Sequence, residues 1–528
     1  MVMAMVMAMG TEMQQTKCNF SVAIRRLALV GVSLGCVSSP LLAGDWKITP
    51  TVGVEETATD NVALSNANIR SDLISDINPG ISIDGSGGRS KLRFNYQMHN
   101  LVYAQDSSRN QIQNSLNALG TLEALENWFF IEASGLISQQ SISAFGSSSA
   151  SSSVNTNSNK NTTETSTYRI SPYFRGALGN FADYQLRYNL STTNSKSNLS
   201  NDSDTKELLA TLKGVTSLTN LGWSLDASRQ TVNFSNSRDN EADRLRGVLT
   251  YQIDPEFRVS LIGGREANNY QSLNKESHTT KGAGIDWAPS ERTLISASRE
   301  DRFFGPSNAF SFSHRTEGSA WKYSESKDVN VQTNQQSSAN LGTNFDLFFN
   351  LFSSAVPDPV ARAAFVNALL SANGISPNAQ LQGGFLSNGV TLEHRRDLSF
   401  ALLGARNTVT FSASQSESEG LSQGTGTGFF IGNGFANAQN IRQRTAGVNW
   451  SHQLTALSSL TCAFTRMNST GTGTGISTLE TTQQMFNLNF TTNLGPKTNA
   501  GIGLRRVVVD GSTNYTENAL TGVLSHQF

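Results

Sequence analysis

The feature that most constrains this chain is a two-residue alternation of apolar and polar side chains, which begins at Trp46 and runs to the end of the sequence. In KLRFNYQMH, Leu92, Phe94, Tyr96 and Met98 form one set, and Lys91, Arg93, Asn95, Gln97 and His99 the other. DYQLRYNL sets Tyr184, Leu186, Tyr188 and Leu190 against Asp183, Gln185, Arg187 and Asn189. TTQQMFNLNFTTNL sets Phe486, Leu488 and Phe490 against Met485, Asn487 and Asn489. Successive side chains of a strand point to opposite faces, so this period specifies strands with one apolar and one polar face. At Asn100-Leu101 and Arg505-Arg506 the alternation slips, which predicts bulges or barrel rims there.

Connectors of two kinds alternate along the chain. Short ones carry turn residues, as in DGSGGR, ALGN, TNLG, DPE, APSE, LGARN and LGPKT. Long ones are polar and of low complexity, such as SISAFGSSSASSSVNTNSNKNTTETS and SQGTGTGFFIGNGFANAQN. Tight turns at one end of antiparallel strands and long loops at the other are the arrangement of an outer-membrane barrel, with the tight turns periplasmic. The reading gives an all-β, up-and-down transmembrane barrel of about 22 strands, between roughly 20 and 24, each of about 9–15 residues. Lipid offers no partner to an unpaired N–H or C=O, so such a sheet must close.

Composition agrees. Charged residues make up only 15% of the chain, against about 25% in soluble domains. A barrel has an uncharged lipid face and a polar lumen where a soluble domain has a charged surface and a compact core. The net charge of -1 excludes a globally basic nucleic-acid binder. No stretch beyond the N-terminus is apolar enough for a membrane helix. The segment 341–380 departs from the pattern: Val360, Ala364, Phe365, Ala368 and Leu369 have helical spacing, after Pro357 and Pro359 and before Gly374. It reads as a helical loop insertion, either folded outside or turned inward to constrict the lumen.

Lys17, Arg25 and Arg26 precede the apolar run LALVGVSLGCVSS, and small residues follow at Ala43 and Gly44. Residues 1–43 therefore read as a signal peptide cut after Ala43, with Met13 an alternative start, and 44–528 as the barrel. A lipid anchor on Cys36 is disfavoured by Ser33 in the lipobox. The exported chain keeps only Cys462, so it forms no internal disulfide.

In WKITPTVGVEETATDNVALS, the residues Trp46, Ile48, Pro50, Glu55, Thr59, Asp60 and Asn61 resemble the first strand of the outer-membrane barrel proteins associated with exosortase and PEP-CTERM sorting systems. The insertion PDPVARAAFVNALLSANGISP is also similar to that family, and the resemblance spans most of the chain. It implies a Gram-negative outer membrane and a setting of exopolysaccharide synthesis and export. It implies no catalytic residues.

Chemical motifs are sparse. His99, His278, His314, His394, His452 and His526 lie far apart without metal-ligand spacing. No GxSxG is present, and the GTGTG runs at 424 and 471 read as external loops, not phosphate cradles. TATDNVALSNAN and SNDSDTKE lack the spacing of a calcium loop. No catalytic, cofactor or metal residues are assigned, and no enzyme activity is expected. The polar set is more informative, because it assigns Lys91, Arg93, Arg169, Arg175, Arg187, Arg244, Arg246 and Arg258 to the lumen wall, against Asp183, Asp226 and Asp286. Such a wall attracts anionic solutes such as acidic polysaccharide, although charged residues in mutual networks are also what any wide lumen needs.

The chain ends TENALTGVLSHQF, where Leu520, Leu524 and Phe528 form an alternating apolar signal closing on an aromatic, the kind of last strand that barrel assembly machinery reads. His526 stands where another large apolar residue is usual. The expected partners are outer-membrane lipid, the assembly machinery, anionic polysaccharide and export components, and not nucleic acid. The expected function is passage or export of exopolysaccharide or other polar solutes through a porin-like lumen. A surface adhesive protein using the barrel as an anchor is the alternative, and a secreted β-solenoid is disfavoured because no fixed repeat appears.

Overall fold

The computed structural model describes residues 44–528 apart from 148–153, 155, 158, 217, 219, 236, 332–348, 350–361, 363–365, 367–384, 388, 422–437 and 474–478. The signal-peptide reading and nearly all of the 341–380 insertion lie outside the described residues. The described residues form one closed sheet of 22 antiparallel strands. These are β1 (Gly44–Thr59), β2 (Asp72–Gly87), β3 (Ser90–Tyr103), β4 (Gln111–Leu125), β5 (Phe129–Ser141), β6 (Thr162–Leu178), β7 (Ala182–Ser195), β8 (Ser203–Val215), β9 (Leu221–Phe234), β10 (Asn240–Asp254) and β11 (Phe257–Asn268). The ring continues with β12 (Glu276–Ser290), β13 (Thr293–Arg302), β14 (Gly305–Arg315), β15 (Ser319–Asn330), β16 (Thr391–Leu403), β17 (Asn407–Gly420), β18 (Asn440–Gln453), β19 (Ser458–Thr472), β20 (Leu479–Gly495), β21 (Thr498–Gly511) and β22 (Tyr515–Gln527). Each strand pairs with the next, and β1 pairs with β22.

The outer face follows the apolar set. Ile48, Leu186, Leu249, Leu261, Val448 and Ile502 are all between 42% and 66% exposed. In register they form rows, such as Phe400, Phe411, Val448, Phe464 and Phe486 across β16 to β20. Apolar exposure this continuous is a lipid-facing belt. The belt has an aromatic edge that the alternation did not single out. All six tryptophans, Trp46, Trp128, Trp223, Trp287, Trp321 and Trp450, stand at the short-turn end, where an indole ring sits well between hydrocarbon and water. Gly85 lies opposite Trp46, and a Cβ there would fall 2.2 Å from the indole, so the missing side chain lets the ring lie on the wall.

Of the bulges or barrel rims predicted at Asn100-Leu101 and Arg505-Arg506, the bulges are not there. The pairing of β2 with β3 runs through Asp76↔Leu101 and Ile77↔Asn100 in step, as does that of β20 with β21 through Asn487↔Arg505 and Phe486↔Arg506. What changes at these points is the surroundings. Toward the long-loop end the inner face is covered by other protein, so inward Leu101 and Val507 are apolar and each 1% exposed, while outward Arg506 has left the belt. The true register shifts fall at the short turns, between Glu123 and Leu125, Gln252 and Asp254, Trp287 and Ser290, and Asn493 and Gly495.

The Thr59-Asp60-Asn61 triplet fastens the closing seam. Thr59 Oγ1 donates to Glu517 Oε1 at 2.9 Å, Asp60 accepts from the backbone N and the Nδ2 of Asn518 at 2.8 and 2.7 Å, and Asn61 Nδ2 donates to the Thr516 carbonyl at 2.9 Å. At the other end of the seam Phe528 N donates to the Pro50 carbonyl at 3.0 Å. Leu520 and Leu524 face outward at 50% and 51% exposure, and the His526 ring packs edge-on against Phe528.

Candidate functional site

Register places all eight predicted basic residues on the inner face. Lys91 and Arg93 stand on β3, Arg169 and Arg175 on β6, Arg187 on β7, Arg244 and Arg246 on β10, and Arg258 on β11. They do not act as one group. Arg175, Arg187, Arg244 and Arg246 gather around a recess of about 650 Å³, joined by Lys213, Asp183 and Asp226. Lys91, Arg93, Arg169 and Arg258 lie elsewhere on the wall, and Arg93 sits 3.7 Å from Asp84.

Carboxylates on neighbouring strands, which the alternation did not single out, hold part of this charge. Glu300 of β13 accepts from Arg244 at 2.9 Å and from Arg246 at 3.0 Å. Glu132 of β5 lies 3.3 Å from Arg187, whose guanidinium also covers the Tyr173 ring at 4.3 Å. Arg175 covers Phe130 at 4.2 Å, a cation–π contact in place of an ion pair. Lys213 was also missed, yet with Arg175 it is among the cations of the recess that have no carboxylate within ion-pair distance among the described residues. Both are exposed and face the lumen, although Asp183 stands opposite Lys213 in register and lines the same recess.

The lumen differs at its two ends. Near the short turns, inward side chains meet water: those of Arg93 and Asp84 are 71% and 61% exposed, and Leu119 and Leu294 are 48% and 55% exposed as residues. Near the long loops they are covered. Glu266, Arg302, Asp397 and Glu517 form buried ion pairs or hydrogen bonds on the inner wall, Arg302 with Glu266 at 2.8 Å and Arg505 with Glu517 at 2.8 Å.

Loops from many strands make the cover. Phe145 of the β5–β6 loop, Phe385 of the β15–β16 loop and Ala438 of the β17–β18 loop pack together with Ile441, all at most 6% exposed. Leu386 N donates to the Ser141 carbonyl at 2.9 Å. Ser141 ends β5 and Leu386 precedes β16, strands that stand eleven apart, half of the ring of 22. The mouth is therefore bridged from wall to wall. A second cluster joins Phe234, Tyr270, Val390 and Leu421, with Phe303 and Phe304 against it. Burial pushes the Tyr270 phenol well up, so it remains neutral inside this cluster. Leu64 of the β1–β2 loop, at φ 49°, reaches in to Met485, Val507, Val509 and Tyr515. Polar latches add to the packing: Asn157 Nδ2 donates to Glu517 Oε1 at 2.9 Å, Tyr103 Oη to the Thr156 carbonyl at 2.8 Å, and Ser512 Oγ to the Phe145 carbonyl at 2.9 Å.

The predicted choice between an outer helix and an inner plug at 341–380 falls outside the described residues, save that Val366 is fully buried and Arg362 covers the Phe349 ring at 4.3 Å. The histidines stay apart, His99 beside Asp76 at 2.7 Å, His394 beside Glu325 at 2.8 Å and His526 beside Thr498 at 2.9 Å.

Closed antiparallel pairing, an apolar belt with an aromatic rim, short turns at one end and long loops at the other define an outer-membrane-type β-barrel. No family model matches the chain, and no curated protein matches it. Among solved structures it is similar to the FrpB iron transporter from Neisseria meningitidis (F5-1 variant, apoprotein form), with TM-score 0.49 and 10% identity over 92% of this chain and 82% of that one. It is similar to the siderophore receptor PirA from Pseudomonas aeruginosa at TM-score 0.38 and 8% identity, covering 91% and 80% of the two chains. It is also similar to OccK2 (OpdF) from Pseudomonas aeruginosa at TM-score 0.36 and 7% identity, covering 92% and 98%. Likenesses at this level say nothing of what this barrel moves.

Proposed function

We propose that the chain is a gated conduit of a Gram-negative outer membrane, whose lumen accepts polar, preferentially anionic solutes and whose long loops form the gate. The observation that carries this reading is the asymmetry of the lumen: a wetted, charged vestibule at the short-turn end and a cover bridged from β5 to β16 at the other. A barrel serving only as an anchor has no need of both. Recess cations without a carboxylate partner support anion preference, because a fixed positive wall raises the local concentration of anions. The resemblance at Trp46 to Asn61 makes an acidic polysaccharide the substrate class we favour.

The test compares two proteins in planar bilayers, the intact chain and a variant in which residues 143–160 are replaced by a short Gly-Ser turn. The intact chain is expected to be mostly closed, and the variant to conduct steadily with anion preference. Cation preference, or equal conductance in the two, overturns the reading. Polymer retained in the periplasm after deletion of the gene supports the substrate class, and unchanged polymer at the cell surface removes it.

A further inference from the structure

The outer wall carries a feature that a conduit does not use. Above the apolar row of Phe400, Phe411, Val448, Phe464 and Phe486, exposed arginines point outward into what should be the upper edge of the bilayer. Arg396 and Arg444 flank Gln415 in register, Arg444 faces Asn468, and Arg466 faces Ala446. Arg444 and Arg466 are thus diagonal neighbours on adjacent strands, close enough for two guanidinium groups to grip one small anion. With Tyr323, Leu398 and Ala413 they line an outward-facing groove of about 500 Å³.

The row is level in the membrane, although it steps along the strands. Arg506 of β21 is in register, strand by strand, with Phe400 of β16, which lies four residues nearer the short turns than Arg396. Register also falls toward the short turns from β21 to β16: the row that leaves β1 at Thr59, the long-loop end, reaches Ala320 at the short-turn end of β15. Climbing from β21 to β16 therefore offsets the strand tilt. Arginines at one height just above hydrocarbon are an arrangement that packing within the barrel does not require.

Their charges are also incompletely matched. Arg396 is held by Glu325 at 3.2 Å. Arg444 bonds only the neutral Gln415, at 3.1 Å, and Arg466 has no ion-pair partner among the described residues. Outward arginines elsewhere are of both kinds, Arg229 lying 3.7 Å from Asp243 and Arg265 donating to the neutral Ser277. A guanidinium offers a planar pair of donors that fits phosphate, and the apolar row directly beneath offers a surface to acyl chains.

We propose that this groove binds a phosphorylated acyl-glycolipid of the outer leaflet, with a phosphate on Arg444 and Arg466 and acyl chains along Leu398, Ala413 and Phe464. The assignment rests on the membrane placement alone and is independent of any conduit role. Uncompensated cations at headgroup height and apolar wall below match the two chemical halves of such a lipid.

The test uses the full-length barrel, refolded in neutral detergent and titrated with bisphosphorylated lipid A, in parallel with the same lipid stripped of phosphate. The intact protein should bind the phosphorylated form at least tenfold more tightly. R444Q/R466Q should lose that preference, while R229Q/R265Q, on another sector, should keep it. Heat-modifiable gel migration verifies that each variant is folded, and the single variants R444Q and R466Q replace the double if it is not. Equal affinity of the intact protein for the two lipids overturns the proposal, as does full preference in folded R444Q/R466Q or equal loss in R229Q/R265Q. Failure of the chain to fractionate with outer membranes would remove the placement itself, a result separable from the binding assay.

Discussion

Leu386 and Ser141 belong to opposite walls of the ring, and the 2.9 Å hydrogen bond between them ties the β15–β16 loop to the far side of the mouth. Beside it the Phe385 ring is only 2% exposed. Truncating a buried Phe costs about 3–5 kcal/mol in a packed interior, and here the loss falls on the cover and not on the wall. Phe385→Ala should therefore raise single-channel open probability while the folded barrel keeps its resistance to unfolding in detergent. A closed channel with a weakened barrel would show that Phe385 supports the wall instead.

Glu517 gathers three donors on one oxygen: Thr59, Asn157 and Arg505. Only the Asn157 bond belongs to a loop. Asn157→Ala should loosen the cover alone, giving more frequent openings at unchanged thermal stability. Glu517→Ala also strands the Arg505 guanidinium on the inner wall, and breaking a buried pair in this way costs about 3–5 kcal/mol. Its folded band should therefore be lost at clearly lower temperature. Thermal gel-shift and bilayer recordings on the two variants separate latch from wall.

Opposite changes in the recess should move ion selectivity in opposite directions. Arg175→Gln with Lys213→Gln removes two cations that lack carboxylate partners, and the anion-to-cation permeability ratio should fall. Glu300→Gln releases Arg244 and Arg246 from their shared carboxylate, and the ratio should rise. Reversal potentials in a salt gradient measure both, and any shift should shrink as salt rises.

At the seam, Asn61 is fully buried, donates to the Thr516 and Ser65 carbonyls and accepts from Ser65 N. Leaving such backbone groups unpaired costs about 1–3 kcal/mol each. Asn61→Ala should lower the temperature at which the folded band disappears, whereas Asn68→Ala in the exposed part of the same loop should not. Equal effects would mean that Asn61 matters only to its loop.

The wall was largely legible because lipid on one side and water on the other write themselves into every second residue. The strand number, the short turns and the inward placement of Arg187 or Arg246 follow from that contrast. The cover was not legible, since Phe145 and Ala438 come from polar, low-complexity loops and Phe385 lies beyond the helically spaced part of the β15–β16 loop, and they meet only because the ring brings their strands face to face. Of the two causes expected for the slips at Leu101 and Arg506, a bulge or a barrel rim, the rim is the one present. They mark the height at which lipid ends outside and loops begin inside, and Arg506 is the visible end of the outward arginine row. Lys213, Glu132 and Glu300 sit in strands whose alternation is no different from their neighbours', so only the register could show which charges meet.

The seam reaches from Thr59 only to Thr51, with Phe528 bonded to Pro50 just below. Gly44 to Thr49 pair with β2 alone among the described residues. That stretch is a ledge of backbone donors and acceptors at the short-turn face, the kind of edge onto which another extended segment can add as a further strand. An extended segment laid along it would carry the seam on past Pro50 and lengthen the wall toward the short-turn face.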